Sequence, residues 1–179
     1  MRSLEQVLKD GIRDVPDYPQ PGVVFKDITP LLADHSGFAQ VVEALAASGK
    51  DDDGTPAVDK VVGIEARGFI LAAPVALALG AGFVPVRKQG KLPAATYAES
   101  YALEYGEATI EVHQDAFAPG DRVLVIDDVL ATGGTVEACL RLIRRCEAEV
   151  TATAVLLELS FLPGRDRLAG ENVSALVTV

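Results

Sequence analysis

Val123-Leu124-Val125-Ile126-Asp127-Asp128-Val129-Leu130-Ala131-Thr132-Gly133-Gly134-Thr135 runs directly into a helical pattern at Val136. Four consecutive apolar residues read as a buried strand. Two carboxylates follow at its end, and then a Thr-Gly-Gly-Thr loop at a helix N-terminus. Glycines permit positive φ and close backbone approach, successive N–H groups form an anion nest, and the helix dipole adds attraction. The hydroxyls of Thr132 and Thr135 can add hydrogen bonds to phosphate oxygens. The acids are badly placed to touch such a phosphate but well placed to accept hydrogen bonds from sugar hydroxyls. They are equally able to orient water on a magnesium ion. The loop differs from a Walker A loop, which needs a lysine before its last hydroxyl residue.

On both sides of this stretch, short apolar runs alternate with helical patterns. Val61-Val62-Gly63-Ile64 reads as a buried strand, Phe69 to Leu79 as a helix and Gly82-Phe83-Val84-Pro85-Val86 as the next strand. Ala108 to His113 alternates with period two. Val136, Cys139, Leu140, Ile143 and Cys146 mark a helix face, with Glu137 and Arg141 as an outward i,i+4 pair. Ala152 to Leu159 closes the series as a strand. Strand and helix in alternation point to an α/β domain with a parallel sheet. Such sheets place ligands beyond the carboxyl ends of their strands.

Upstream, Leu4, Val7, Leu8 and Ile12 form an amphipathic start, which Pro16, Pro19, Pro21 and Gly22 stop before Val23-Val24-Phe25. Asp27 to Leu32 reads as a loop and Phe38 to Ala47 as a helix. Ser48 to Asp59 is a solvated loop that separates no domains. Arg87 to Gly106 is long, polar and without clear period, and a structureless segment of that length inside a compact domain is either functional or conceals regular structure.

At 179 residues, with roughly 150 per domain, one domain spanning residues 1–179 is expected. Hydrophobic residues at 49% and charged residues at 23% exclude wholesale disorder. The net charge of −10 lacks the footprint of a nucleic-acid or anionic-membrane binder, so no nucleic acid and no membrane are expected as partners. Any bound phosphate must therefore be held by local geometry. Cys139 and Cys146, seven apart on one helix and so about 10.5 Å apart, are out of disulfide range and read as reduced core residues. The charged N-terminal residues contain no apolar signal core, which predicts a cytoplasmic protein. Phe69 to Val86 carries no charge, but Pro74, Gly80, Gly82 and Pro85 interrupt it. A buried Ala-rich helix, a turn and a strand fit it better than a membrane span. His35 and His113 lack partners at metal spacing, and no protein-held metal is expected.

The thirteen-residue run resembles the phosphoribosyl-diphosphate (PRPP) signature of type I phosphoribosyltransferases. Pro21 to Leu32 (PGVVFKDITPLL), Gly63 to Phe69 (GIEARGF), Arg87 to Pro93 (RKQGKLP) and Leu103 to Gly106 (LEYG) are similar to the adenine-using members of that family, the adenine phosphoribosyltransferases. The resemblance spans about Pro16 to Leu159. It implies a central, mainly parallel sheet flanked by helices, a small N-terminal hood and a mobile active-site loop. It also implies transfer of 5-phosphoribose from PRPP to N9 of adenine, giving AMP and pyrophosphate in purine salvage. Mg²⁺ would be bound mainly through PRPP, and the protein would be a homodimer. Carried over by residue, Ala131, Thr132, Gly133, Gly134 and Thr135 would cradle the 5′-phosphate, and Asp127 and Asp128 would hold the ribose hydroxyls. Arg67, Arg87, Lys88 and Lys91 would meet the pyrophosphate. Glu104 and Tyr105 would belong to the closing loop, with Glu104 near N7 or N9 as the proton-handling acid. Phe25 would stack on the purine, Leu159 would pack near it, and the main chain of Val24 and Lys26 would read its edge. Lys26 stands where Arg is frequent and Ala66 where Ser is common; contacts through the main chain leave the reaction intact.

Two rival readings remain at this level. A phosphoribosyltransferase for 6-oxopurines would read its base with a lysine and an aromatic elsewhere, and Leu103-Glu104-Tyr105-Gly106 argues against it. A non-catalytic PRPP-sensing regulator would carry a DNA-binding segment or a basic face, which this acidic chain lacks.

Overall fold

The computed structural model describes residues 2–103 and 106–179; Glu104 and Tyr105, expected in the closing loop, lie outside the described residues. The chain packs as two compact units, the first ending at Ala44 and the second running Leu45–Val179.

In the first unit, helix α1 (Leu4–Gly11) begins where Ser3 Oγ accepts a hydrogen bond from the Gln6 N–H, and it buries Val7 and Leu8. Strands β1 (Arg13–Pro16) and β2 (Val24–Asp27) pair antiparallel, with Arg13 opposite Asp27 and Asp14 opposite Lys26. Both opposed pairs are ion pairs, at 2.5 Å and 2.6 Å. Asp27 also accepts the Thr29 N–H at the start of helix α2 (Thr29–Ala33), and this bond, with Arg13, holds its pKa down to about 2. The expected Asp27–Leu32 loop is therefore helical from Thr29 onward, with Pro30 in the first turn, where a missing N–H costs nothing. Helix α3 (His35–Ala46) follows.

Among the described residues of the second unit, seven strands form one sheet. They are β3 (Lys60–Ile64), β4 (Gly82–Lys88), β5 (Thr96–Ala102), β6 (Glu107–His113), β7 (Arg122–Leu130), β8 (Glu149–Glu158) and β9 (Val173–Thr178), in the order β5-β6-β4-β3-β7-β8-β9. β4, β3, β7, β8 and β9 are mutually parallel; β6 pairs antiparallel with both β4 and β5. Helix α4 (Arg67–Leu79) packs on β3, β4 and β7, and helix α5 (Gly134–Arg145) on β5, β6 and β8. Val62, Ile64, Val123 and Val125 join the core beneath α5. The intervening Gly63 faces Ala72 and Phe69 of α4. Both faces of the central strands are thus covered, which accounts for their unbroken apolar runs.

Three expectations are corrected. Arg87–Gly106 contains regular structure: its middle is β5, half of an antiparallel hairpin with β6. The strand from Val123 extends through Leu130, so Asp127 and Asp128 lie inside β7 rather than at its end. The segment after Leu159, generic in sequence, supplies a short helix α6 (Gly164–Arg167) and the edge strand β9. Cys139 is buried and Cys146 half-buried, both as free thiols. No helix among the described residues is long and apolar enough to cross a membrane.

Candidate active site

Parallel order brings the carboxyl ends of β4, β3, β7 and β8 side by side, and Arg67, Arg87, Lys88, Ala131–Thr135 and Leu159 lie at or just after them. From β7 the chain leaves through Ala131–Thr135 into α5. Gly133 caps that helix with φ +79°, the left-handed conformation that glycine adopts without strain. Together with Asp127 and Leu130, this loop lines a cleft of about 70 Å³.

Asp127 and Asp128 are both buried, at 9% and 6% exposure. Asp127 Oδ1 accepts the Asp128 N–H at 2.9 Å. From the end of β3, Arg67 brings its Nε to 2.5 Å from Asp128 Oδ2. That oxygen is buried against the arginine and takes no aligned hydrogen bond. Burial first, and the neighbouring Asp128 charge second, push the Asp127 carboxyl well above its usual range.

This shift has a defined sign. A carboxyl that binds its proton more tightly in the folded than in the unfolded chain contributes stability at low pH, and that contribution is lost as pH rises from about 3.9 through the raised folded value. Asp127→Asn removes the ionisation while keeping the acceptor for Asp128 N–H. Ligand-free thermal melts should show the variant gaining on the wild type between pH 4 and pH 8. The gain should grow steadily with pH across that range. A melting difference independent of pH would show that Asp127 is not held against its charge.

The basic residues are organised by an acid that sequence reasoning left without a role. Glu65 Oε2 accepts the Lys88 N–H at 2.9 Å and lies 3.3 Å from Arg87 Nε. Burial works against its charge, but the Lys88 N–H and the Arg87 guanidinium prevail and hold its pKa below the ordinary value. Arg87 also donates to the Lys91 carbonyl, tying down the turn that carries Lys91. A signal for Glu65 was available, because it follows β3 two residues before Arg67. Leu159 follows β8 and donates its N–H to Leu130 O, beside the loop. The structure thus gathers Arg67, Arg87, Lys88, Asp127, Asp128, Ala131–Thr135 and Leu159 along neighbouring strand ends. Val24, Phe25 and Lys26 belong to β2 of the first unit. There Phe25 packs edge-on against Tyr18, with ring centroids 5.2 Å apart, and Lys26 is paired with Asp14.

The hairpin strand β5 lies against α5. Arg141 pairs with Glu99 at 3.2 Å, Arg145 stands over the Tyr97 ring, and Tyr101 approaches Gly134. The expected Glu137–Arg141 pair is present at 3.4 Å.

The model of the phosphoribosyl transferase domain family matches residues 31–173. An adenine phosphoribosyltransferase from a Nocardioides species is 67% identical over 168 residues, covering 94% of this chain and 91% of that protein. The crystal structure of adenine phosphoribosyltransferase from Rhodothermus marinus is 53% identical, with a TM-score of 0.90 and 98% of each chain covered. The Saccharomyces cerevisiae enzyme, complexed with an imino-altritol bisphosphate and adenine, is 35% identical, with a TM-score of 0.92 over 99% of this chain and 100% of that one. With its glycine-capped anion loop and the buried acid pair in the strand that leads to it, the chain belongs to the adenine phosphoribosyltransferases of the phosphoribosyl transferase family, which transfer 5-phosphoribose from PRPP to adenine and release pyrophosphate.

Proposed function

We propose that the cleft at the ends of β3, β4 and β7 performs this transfer with the residues gathered there. One observation carries the reading: an anion loop on β7 adjoins a buried acid pair, which an arginine from the neighbouring strand end contacts. The spacing suits a sugar phosphate, with its 5′-phosphate on Ala131–Thr135, its hydroxyls on Asp127 and Asp128, and its diphosphate towards Arg67, Arg87, Lys88 and Lys91. The imino-altritol bisphosphate and adenine in the yeast relative support the same occupancy here.

PRPP is already activated, so no strong nucleophile is needed. The acid pair faces a ribose that becomes cationic, and preorganised acceptors of this kind favour the transition state over the ground state. Basic side chains at the ends of β3 and β4 stabilise the departing pyrophosphate. Buried carboxylates, one oxygen lacking an aligned hydrogen bond, fit magnesium's preference for oxygen ligands, with Asp127 and Asp128 holding its water shell. Mg²⁺ carried on PRPP would supply charge neutralisation of the leaving group. In the first unit, the proposed purine contacts are the Phe25 ring and the main chain of Val24 and Lys26; in the second, the proposed contact is Leu159, just after β8. The proposed acceptor of the proton that N9 attack makes acidic is Glu104.

Ile70 (45%) and Leu77 (83%), two turns apart on α4, are exposed apolar side chains, and such exposure supports a homodimer. The test of function is nucleotide formation from PRPP and Mg²⁺ with adenine, guanine and hypoxanthine in parallel. AMP should form rapidly and the other two nucleotides at under a hundredth of its rate. Comparable rates with hypoxanthine would overturn the base assignment, and no AMP would overturn the reaction.

A further inference from the structure

The loop Ala131–Thr135 is backed by main chain. Gly164, the first residue of α6, is buried, and a Cβ placed on it would overlap the Ala131 carbonyl oxygen and stand 3.0 Å from Leu130. The approach is mutual. A Cβ on Gly133 would stand 2.9 Å from Gly164 O and 3.1 Å from Gly164 Cα. Two glycines from distant parts of the chain therefore meet backbone to backbone, and the loop cannot shift rearward while Gly164 holds its place.

A forked ion pair holds Gly164 in position. Arg165 donates from Nε and Nη2 to the two oxygens of Glu158 at the end of β8, at 2.9 Å and 2.5 Å, and from Nη1 to Val173 O at the start of β9. Glu158 is 8% exposed, and the Arg165 hydrogen bonds keep its carboxyl below the ordinary range despite that burial. One residue pair thus binds the end of β8, the beginning of β9 and the turn between them. A second tie comes from Arg167, whose Nε donates to Glu137 in the first turn of α5 at 2.9 Å. Neither Glu158 nor Arg165 lines the cleft beside the loop.

We infer that Gly164, Glu158 and Arg165 are positioning residues for the 5′-phosphate loop, a rear buttress that keeps Ala131–Thr135 in its anion-binding shape. The inference rests on the reading of that loop as the phosphate cradle. It makes a specific demand on kinetics, because a loop that relaxes backwards weakens the phosphate and leaves the other end of the site untouched.

The test compares Gly164→Ala, Arg165→Gln and Arg165→Lys in the full chain, with melting curves as a check on folding. KM for PRPP and the dissociation constant of AMP, measured by calorimetry, should rise at least tenfold in Gly164→Ala and in Arg165→Gln. KM for adenine and kcat at saturating PRPP should stay within twofold. Arg165→Lys keeps the charge but loses the fork, and should fall between the wild type and Arg165→Gln. Should Gly164→Ala fail to fold, the two Arg165 variants decide. A folded Arg165→Gln protein with PRPP KM within twofold of wild type overturns the buttress. So does a uniform loss of kcat and both KM values alongside a lowered melting temperature, which marks a scaffold role only. Gly133→Val separates the two levels. If it abolishes PRPP binding while Gly164→Ala and Arg165→Gln do not, the buttress alone fails; if it too leaves PRPP binding intact, the cradle reading has failed.

Discussion

Gly133→Val is expected to abolish PRPP binding in a protein that still folds. The residue sits at φ +79°, where a β-branched side chain is strained, and its α-carbon faces the Gly164 backbone so closely that a Cβ would come within 2.9 Å of a carbonyl oxygen. Neither conflict is relieved by a side-chain rotation, because both involve main chain. The loop must open, and its N–H groups then no longer converge on one point. Calorimetric titration with PRPP and Mg²⁺ should show the dissociation constant rising at least a hundredfold, about 2.7 kcal/mol. Circular dichroism should report an unchanged sheet and helix content. Wild-type affinity in the folded variant would remove the phosphate from this loop.

Asp128→Ala carries the second large effect. It deletes the acid that Arg67 approaches, so on the proposed reading the ribose loses one acceptor and the arginine loses this ion pair at the same time. Charge-assisted hydrogen bonds are worth roughly 1.5–3 kcal/mol each, and those to a ribose that becomes cationic strengthen towards the transition state. Two such bonds put the expected loss of single-turnover rate at about 10²–10⁴-fold. Single-turnover measurement is needed because product release can limit the steady state and mask the chemical step. An unchanged rate at saturating Mg²⁺ would reduce Asp128 to a structural partner of Arg67.

The parts of the fold that could be read in the residues are those whose periodicity is set by full burial. β3, β7 and β8 each contain an apolar run, α4 is apolar almost throughout, and α5 carries its apolar residues at helical spacing, so local pattern and tertiary environment agree. β5 was hidden because Thr96–Ala102 is a half-buried edge strand whose polar residues serve α5: Glu99 reaches Arg141, and Tyr97 lies under Arg145. β9 was hidden for a similar reason, being short and at the other edge. In the site, the residues of Ala131–Thr135 announced themselves because backbone conformation is written locally as glycine. Gly164 did not, since its requirement arises from the Ala131 carbonyl, 33 positions away, and no spacing rule connects them. Glu65 fell between, close to Arg67 in sequence but defined by hydrogen bonds from β4.

The parallel arrangement of β4, β3, β7 and β8 also bears on how the site comes into being. Each of these strands reaches its neighbour only after an intervening excursion of the chain, so the contacts between them are nonlocal and costly in loop entropy before they are rewarded. No fragment containing Ala131–Thr135 alone holds Arg67 or Glu65, and the three are assembled only when β3 has been inserted between β4 and β7. Ligand recognition is therefore a property of the completed sheet. By mass action, PRPP at a hundred times its dissociation constant adds about 2.7 kcal/mol to the stability of that sheet as a whole, so the substrate acts as a fastener for strands it never touches.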